Sequence, residues 1–277
     1  MIITSKTNST IKYISSLKNK KYRNKYNKYV IEGIKLVEEI INSEGNAPEF
    51  IVYSEQLLKR TGLGIELLNK INKGVFNKYN VVAVNEDVFN SLTDFETPQG
   101  ILVVIDKENE YNIDKLEFNL NNNLTDKYVI LDKVQDPGNL GTIIRSALAF
   151  GIKNIICIEG TTDVFSPKVI RSTMGAIRKV NIYNVQSDEV EKITRKLKAS
   201  NYIIVGTSLD AEKYINEEDI NDKYVFVMGN EANGVSNELI EKCDSLVKIP
   251  MESIMESLNV ATATTIVMYE QYIRGRK

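Results

Sequence analysis

Apolar and polar positions follow two rhythms along this chain. From Tyr128 onward, short runs are apolar on consecutive positions: Tyr128–Leu131, Asn154–Ile158, Tyr202–Thr207 and Tyr224–Met228. Such runs predict strands covered on both faces, as in a parallel sheet. Lys179–Val185 and Leu246–Ile249 read as two further strands. Helices are predicted between them at Thr142–Phe150, Pro167–Met174, Asp188–Ser200 and Asn237–Cys243, with Ser166-Pro167 an N-cap followed by proline at the first helical position. About six strands alternating with helices make a doubly wound α/β domain. The chain closes on a helix in which Leu258, Thr262, Thr265, Ile266, Tyr269, Tyr272 and Ile273 fall at three- and four-residue spacing, an expected apolar stripe. Its first turn, SLNVATA, is small and polar, which lets backbone or ligand approach closely.

The first 106 residues mix the two periods more loosely. Strands are predicted at Tyr29–Ile31, Phe50–Tyr53, Val81–Val84 and Gly100–Ile105. Helices are predicted from a cap at Asn8 or Ser9 to about Leu17, over Ile34–Ile41 with an end near Gly45, over Glu55–Asn72 with a weak point at Gly62 and Gly64, and over Asp87–Leu92. This reads as a small α/β domain, residues 1–106, of ordinary domain size. Residues 107–127 are polar, without clear periodicity, and read as a linker to a second domain at 128–277.

Composition narrows the chemistry. Among 277 residues there is no histidine and there are two cysteines, Cys157 and Cys243, far apart in sequence. Histidine-based nucleophile systems, HExxH metal sites and a histidine general base are therefore excluded, and no metal is expected. Both thiols read as structural. No apolar run is long enough to span a bilayer and the N-terminus lacks a signal-peptide core, so no membrane association and a cytoplasmic location are expected.

Net charge is near balance at −2, but residues 1–31 carry eight lysines and arginines and no acid, leaving 27 basic against 37 acidic residues elsewhere. A basic segment on an acidic body suits a polyanion. Lys18, Lys20, Lys21, Arg23, Lys25 and Lys28 are candidate RNA contacts, with Tyr13, Tyr22, Tyr26 and Tyr29 interleaved as residues able to stack on unpaired bases.

In open parallel sheets ligands bind beyond the carboxyl ends of the strands. Three loops stand there. Asp136–Arg145, DPGNLGTIIR, leads into a helix whose free N–H groups suit an anion, with Arg145 four residues beyond Gly141 and expected to reach back to the loop. Gly229–Ser236, GNEANGVS, has glycines five apart between strand and helix. Val235 stands where a phosphate loop needs lysine, and Glu231 would oppose phosphates, so a nucleotide hydrolase fits poorly. Ile249–Asn259 is the third. Together they offer backbone amides, Asn139, Asn259, a serine, one carboxylate and one arginine, with no obvious nucleophile.

The segments LDKVQDPGNLGTIIRSALAFGI, FVMGNEANGVSNEL and VKIPMESIMESLNVATATTIVMYE resemble, in order and spacing, the three motifs of the SpoU (TrmH) branch of the SPOUT methyltransferases. YVIEGIKLVEE and TPQGILVV resemble the ribosomal-protein L30e-like substrate-binding domain often fused to them. The wording ANG after Glu231, and Glu252-Ser253 or Glu256 where small residues are frequent, depart from the family pattern. The resemblance implies a trefoil-knotted parallel sheet, which sequence physics would not suggest. It also implies S-adenosylmethionine as methyl donor, a ribose 2′-hydroxyl of RNA as acceptor, and a homodimer in which Asn139 and Arg145 face the partner's cofactor. Large-subunit rRNA is the expected substrate and tRNA the alternative. By position, the resemblance puts Asn139, Arg145, Glu231, Ser257 and Asn259 in the polar cluster, with Arg145 either base or electrostatic stabiliser. It puts Thr207, Ser208, Leu209, Met228, Gly229, Asn230, Gly234, Ile249, Met251 and Leu258 around the cofactor, and adds Arg145 to the RNA contacts. An RNA-binding assembly factor with this fold and no catalysis is the other reading left open.

Overall fold

The computed structural model describes residues 2–43, 47–122, 127–218, 220, 223–252, 254 and 257–275. The chain divides into two compact units: Met1–Glu108 with Phe165–Arg171, and Asn109–Val164 with Ser172–Lys277. No described helix is long and apolar enough to cross a membrane.

The first unit is built on a five-stranded sheet of β1 (Ile2–Ile3), β2 (Lys28–Glu32), β3 (Phe50–Tyr53), β4 (Val81–Val84) and β5 (Ile101–Asp106), ordered β1-β4-β3-β5-β2. β3 and β4 run parallel, whereas β5 lies antiparallel to both β2 and β3. β5 lies inside the sheet between β3 and β2 and is buried at its first five positions, as its unbroken apolar run requires. Helices α1 (Ser9–Ser16), α2 (Lys20–Tyr26), α3 (Ile34–Asn42), α4 (Glu55–Leu58), α5 (Gly62–Asn72) and α6 (Glu86–Leu92) surround it. Asn8, not Ser9, caps α1, its side chain accepting from the amides of Thr10 and Ile11. α2 has no counterpart in the sequence reading: its surface is polar and basic, so no apolar stripe betrays it. The single helix expected over Glu55–Asn72 is two, α4 and α5, broken at Thr61, which caps α5 through the amide of Gly64. The α3 end expected near Gly45 lies outside the described residues.

The second unit carries eight strands, all parallel: β6 (Glu110–Tyr111), β7 (Tyr128–Leu131), β8 (Asn154–Ile158), β9 (Asn181–Val185), β10 (Ile203–Thr207), β11 (Lys213–Tyr214), β12 (Tyr224–Met228) and β13 (Ser245–Lys248), ordered β11-β13-β10-β12-β7-β8-β9-β6. β7, β8 and β12 are buried along their whole length. α8 (Pro137–Ala149), α10 (Val190–Ala199), α11 (Asn237–Ile240) and α12 (Val260–Arg274) accompany these strands, while α9 (Pro167–Thr173), at its expected place, has its first five residues in the first unit. α8 begins five residues before the predicted Thr142, so Asn139 stands in its first turn, and α11 stops short of Cys243. The expected linker does not stay one. Its middle forms β6 beside β9 and helix α7 (Ile113–Asn122), which buries Ile113, Leu116 and Leu120 in the core of the second unit. Those three apolar residues sit at helical spacing, a signal masked by the surrounding asparagines; Asn123 lies outside the described residues.

The stripe expected on the last helix is also displaced. α12 buries Ala261, Thr264, Val267, Met268 and Gln271, and Gln271 donates to the carbonyl of Tyr224 at 2.7 Å. Ala261 and Thr264 keep the start of that face small, and Val267, Met268 and Gln271 fill the rest. Thr265 instead shares a 2.7 Å hydrogen bond with Ser146 of α8, and Tyr269 and Tyr272 meet Phe150 at 5.8 and 5.7 Å. Tyr269 remains 49% exposed. Burial pushes the thiol of Cys157 up to about 12 and that of Cys243 to about 11, so neither ionises at neutral pH.

Candidate active site

The carboxyl ends of β7, β10, β12 and β13 lie side by side in the second sheet, and the loops that leave them carry the polar residues singled out from sequence. The loop after β12 is set by a glycine. A Cβ on Gly229 would stand 2.0 Å from the carbonyl carbon of Gly234 and 2.2 Å from the nitrogen of Val235, so the chain turns back on itself there only because no side chain intervenes. Asn230 and Gly234 then pair through two backbone hydrogen bonds of 2.9 and 3.0 Å. The Asn230 side chain accepts from the amides of Ala232 and Asn233 and donates to the carbonyl of Lys133. Gly234 has φ +67°, left-handed backbone that glycine adopts freely.

This turn projects Glu231 across to the loop after β7. Its Oε1 accepts from the amide of Asp136 at 3.0 Å and from Asn139 Nδ2 at 3.0 Å, and its Oε2 from the amide of Gln135 at 3.1 Å. Asn139 Oδ1 in turn accepts from Asn259 Nδ2 at 2.9 Å. Asn259 is the cap of α12, its Oδ1 accepting from the amides of Ala261 and Thr262, while Asp136 caps α8 by accepting from the amide of Asn139 at 2.7 Å. A carboxylate and two asparagines therefore fasten three loops and two helix N-termini together. Partial burial raises the Glu231 carboxyl, but the hydrogen bonds from Asn139, Asp136 and Gln135 outweigh it and hold the group below its ordinary value of 4.5. The stability this carboxylate confers is thus present above pH 4.5 and lost as pH falls through the lower folded value. Thermal melts of Glu231→Gln are expected to lack that part of the acid limb, with a neutral-pH difference of only about 1 kcal/mol or less because solvent screens the group.

Not every predicted residue joins the cluster. Arg145 is exposed on α8 and makes no hydrogen bond or ion pair among the described residues, nor does it reach back to the preceding loop. Six residues past Asn139, it stands about 120° around the helix axis from it and about 9 Å along. Ser257 is exposed two residues before Asn259; Ser253 and Glu256 lie outside the described residues. Sequence reasoning missed Asp132, buried at the end of β7, whose Oδ2 accepts from the amide of Ser236 at 2.7 Å and fixes the far end of the Gly229 turn. A lone acid closing an apolar strand was its only signal.

The expected cofactor positions form the apolar side of the same strand ends. Met228 is buried; Ile249, Met251 and Leu258 are half-buried, and Leu209 is 57% exposed. Thr207 Oγ1 donates to the carbonyl of Val227 at 3.0 Å, and the amide of Ser208 to Val247 at 3.0 Å, which aligns the ends of β10, β12 and β13. Half-buried aliphatic side chains beside a turn without a Cβ suit a flat heterocycle held by its edges, and the uncharged amides around them suit its polar rim. No described cluster of His, Cys, Asp or Glu could hold a metal.

Among the candidate RNA contacts, Arg23 is turned inward: 3% exposed, it donates to the carbonyls of Leu17 and Lys18 at 2.7 and 2.6 Å and so closes α1. Lys18 pairs with Asp94, and Lys28 with Asp106 and Glu49. Lys20, Lys21 and Lys25 stay exposed on α2.

Residues 126–269 match the SpoU rRNA Methylase family, and residues 8–103 match the MRM3-like substrate binding domain. Over 99% of both chains the sequence is 33% identical to the 23S rRNA (guanosine(2553)-2′-O)-methyltransferase RlmP of Bacillus subtilis. An rRNA methyltransferase from Sinorhizobium meliloti, of which one structure has AdoMet bound, is 31% identical, with a TM-score of 0.79 and coverage of 98% of this chain and 96% of the other.

Proposed function

The chain belongs to the SpoU rRNA methylase family, and on that premise we propose that it is an S-adenosylmethionine-dependent methyltransferase acting on a ribose 2′-hydroxyl of 23S rRNA. The observation that carries this reading is the Glu231–Asn139–Asn259 chain of hydrogen bonds, which fastens three segments at the carboxyl ends of the central strands into one rim. S-adenosylmethionine supplies an electrophilic methyl group on a sulfonium. Thr207–Leu209, Gly229, Ile249, Met251 and Leu258 hold it, chiefly through backbone groups at the strand ends. The polar rim would orient the acceptor hydroxyl, the guanidinium of Arg145 would stabilise the charge that develops on its oxygen, and an RNA phosphate or Ser257 would assist loss of the hydroxyl proton. Since two bound partners react, positioning supplies much of the acceleration.

The sheet is read as a trefoil knot, supported by the return of β13 to the outer side of β10 and of α12 onto α8 and β12. The first unit is read as an L30e-like domain, supported by its mixed sheet flanked by helices. The enzyme is read as a homodimer. The half-exposed apolar side of α12, with Phe150 at the end of α8 against it, is the surface a second copy would cover, which would bring Arg145 of α8 to the partner's donor.

The test is transfer of radiolabelled methyl groups from S-adenosylmethionine to 23S rRNA and to tRNA, followed by mapping of 2′-O-methylation. One modified ribose in 23S rRNA is expected. Absence of transfer, together with no calorimetric heat at millimolar donor, would identify a non-catalytic RNA binder instead.

A further inference from the structure

The tyrosines of the basic segment are gathered at one place. Tyr13 of α1 meets Tyr26, at the end of α2, edge to face with centroids 5.0 Å apart. Tyr22 lies nearly parallel to Tyr26 at 6.3 Å, and Phe50 of β3 stands 6.1 Å from Tyr13. Tyr13, Tyr26 and Phe50 line a groove of about 430 Å³ that also takes in Lys28 and Glu49, a volume in the range of small-ligand sites. Tyr22 and Tyr26 are each 37% exposed, unusual for rings that a core would accept. Lys25 sits over the Tyr26 ring at 5.2 Å, with Lys20 and Lys21 exposed on the same short helix.

The polar end of the groove is built. Glu49 Oε2 accepts from the Tyr13 hydroxyl at 2.9 Å and lies 3.3 Å from the Lys28 ammonium, which also pairs with Asp106 at 2.5 Å. Those contacts fix the carboxylate in place. Glu49 Oε1 has no hydrogen-bond partner among the described residues, and the side chain is 32% exposed. An aromatic wall, a fixed carboxylate in the groove lining and surrounding cations make a combined request. The ligand must have a flat face, an edge of N–H donors and a negative backbone.

We propose that this groove binds one unpaired guanine of an RNA, its ring stacked on Tyr26 and its N1–H and N2–H edge directed at Glu49, with Lys20, Lys21 and Lys25 taking the adjacent phosphates. Guanine is the base that offers a carboxylate two neighbouring donors. Adenine and cytosine offer one amino group, and uracil flanks its single imino group with repelling carbonyls. RNA as the partner rests on the function proposed above, but the groove needs no methyl donor.

The test uses the full chain and short, labelled, single-stranded pyrimidine RNAs with one central guanosine, inosine or adenosine, followed by fluorescence anisotropy at about 50 mM salt, where phosphate contacts are strong. The guanosine RNA is expected to bind about fivefold tighter than the inosine RNA, which lacks the 2-amino donor. Tyr26→Ala is expected to weaken it about tenfold and Tyr26→Phe to restore it, as stacking requires. Glu49→Gln should remove the preference for guanosine over inosine. Equal affinity for the three RNAs, or an unchanged affinity in Tyr26→Ala, would overturn the site. Calorimetry of the wild-type chain with S-adenosylmethionine tests the methyltransferase reading separately, so either can fail alone.

Discussion

Replacing Arg145 by lysine is expected to slow methyl transfer about 100-fold or more, the usual effect of losing a donor aimed at developing negative charge. Thermal stability and donor affinity should stay where they are. Arg145 is exposed and bonded to nothing among the described residues, and surface substitutions of that kind change stability by about 0.5 kcal/mol at most. The direction of the effect separates two mechanisms. As a residue type arginine keeps its proton to about pH 12 or beyond, so using it as a base at pH 7 costs roughly 7 kcal/mol before any chemistry, at ~1.4 kcal/mol per unit. Lysine gives up its proton more easily, so a base role predicts that Arg145→Lys retains or gains activity. A planar fork that holds the oxygen and a neighbouring phosphate at once predicts the loss, since lysine offers a point charge in place of two aligned donors. Single-turnover rates across pH 6–9 distinguish them: a parallel drop at every pH supports the electrostatic role, and near-wild-type activity refutes it.

The exposure of Arg145 on a lone protomer and its distance from the Glu231 cluster also show what a linear sequence conceals. Asn139, Glu231 and Asn259 were legible because each sits at a motif position in a segment that leaves a strand or opens the following helix, and the strands were legible because both faces are buried and their apolar runs are unbroken. That they bond to one another in a line, and that Glu231 works through backbone amides of Gln135 and Asp136, follows only from the parallel order that sets β12 beside β7. Arg23 failed as an RNA contact for a related reason. A guanidinium among lysines looks solvated in sequence, yet it donates to the carbonyls of Leu17 and Lys18, where the chain leaves α1. The stripe on α12 misled in the opposite sense. Its buried face runs through Ala261, Thr264, Val267, Met268 and Gln271, mixing small, apolar and polar side chains that no apolar stripe marks, while its aromatic side meets Phe150 at the end of α8 and stays partly open.

Gly229→Ala is expected to lower stability by about 3 kcal/mol, near the upper end for overpacking, and to abolish detectable donor binding. The methyl group would enter space held by backbone, 2.0 Å from Gly234 C and 2.3 Å from Gly234 O, where no flexible side chain can yield. The turn must open, breaking the Asn230–Gly234 pair and withdrawing Glu231 from the amides of Gln135 and Asp136. For a unit of this size the melting temperature should fall by about 6–12 °C. Gly234→Ala supplies the contrast. A Cβ there meets nothing within 4 Å, and the only obstacle is φ +67°, a left-handed conformation costing roughly 1–2 kcal/mol for alanine and less for asparagine. Gly234→Asn should therefore keep donor binding while Gly229→Ala loses it. Equal calorimetric affinity in the two variants would mean that the turn is not what shapes the donor site. Because both glycines lie in one six-residue turn, a difference between them isolates the close approach at Gly229 from loop flexibility in general.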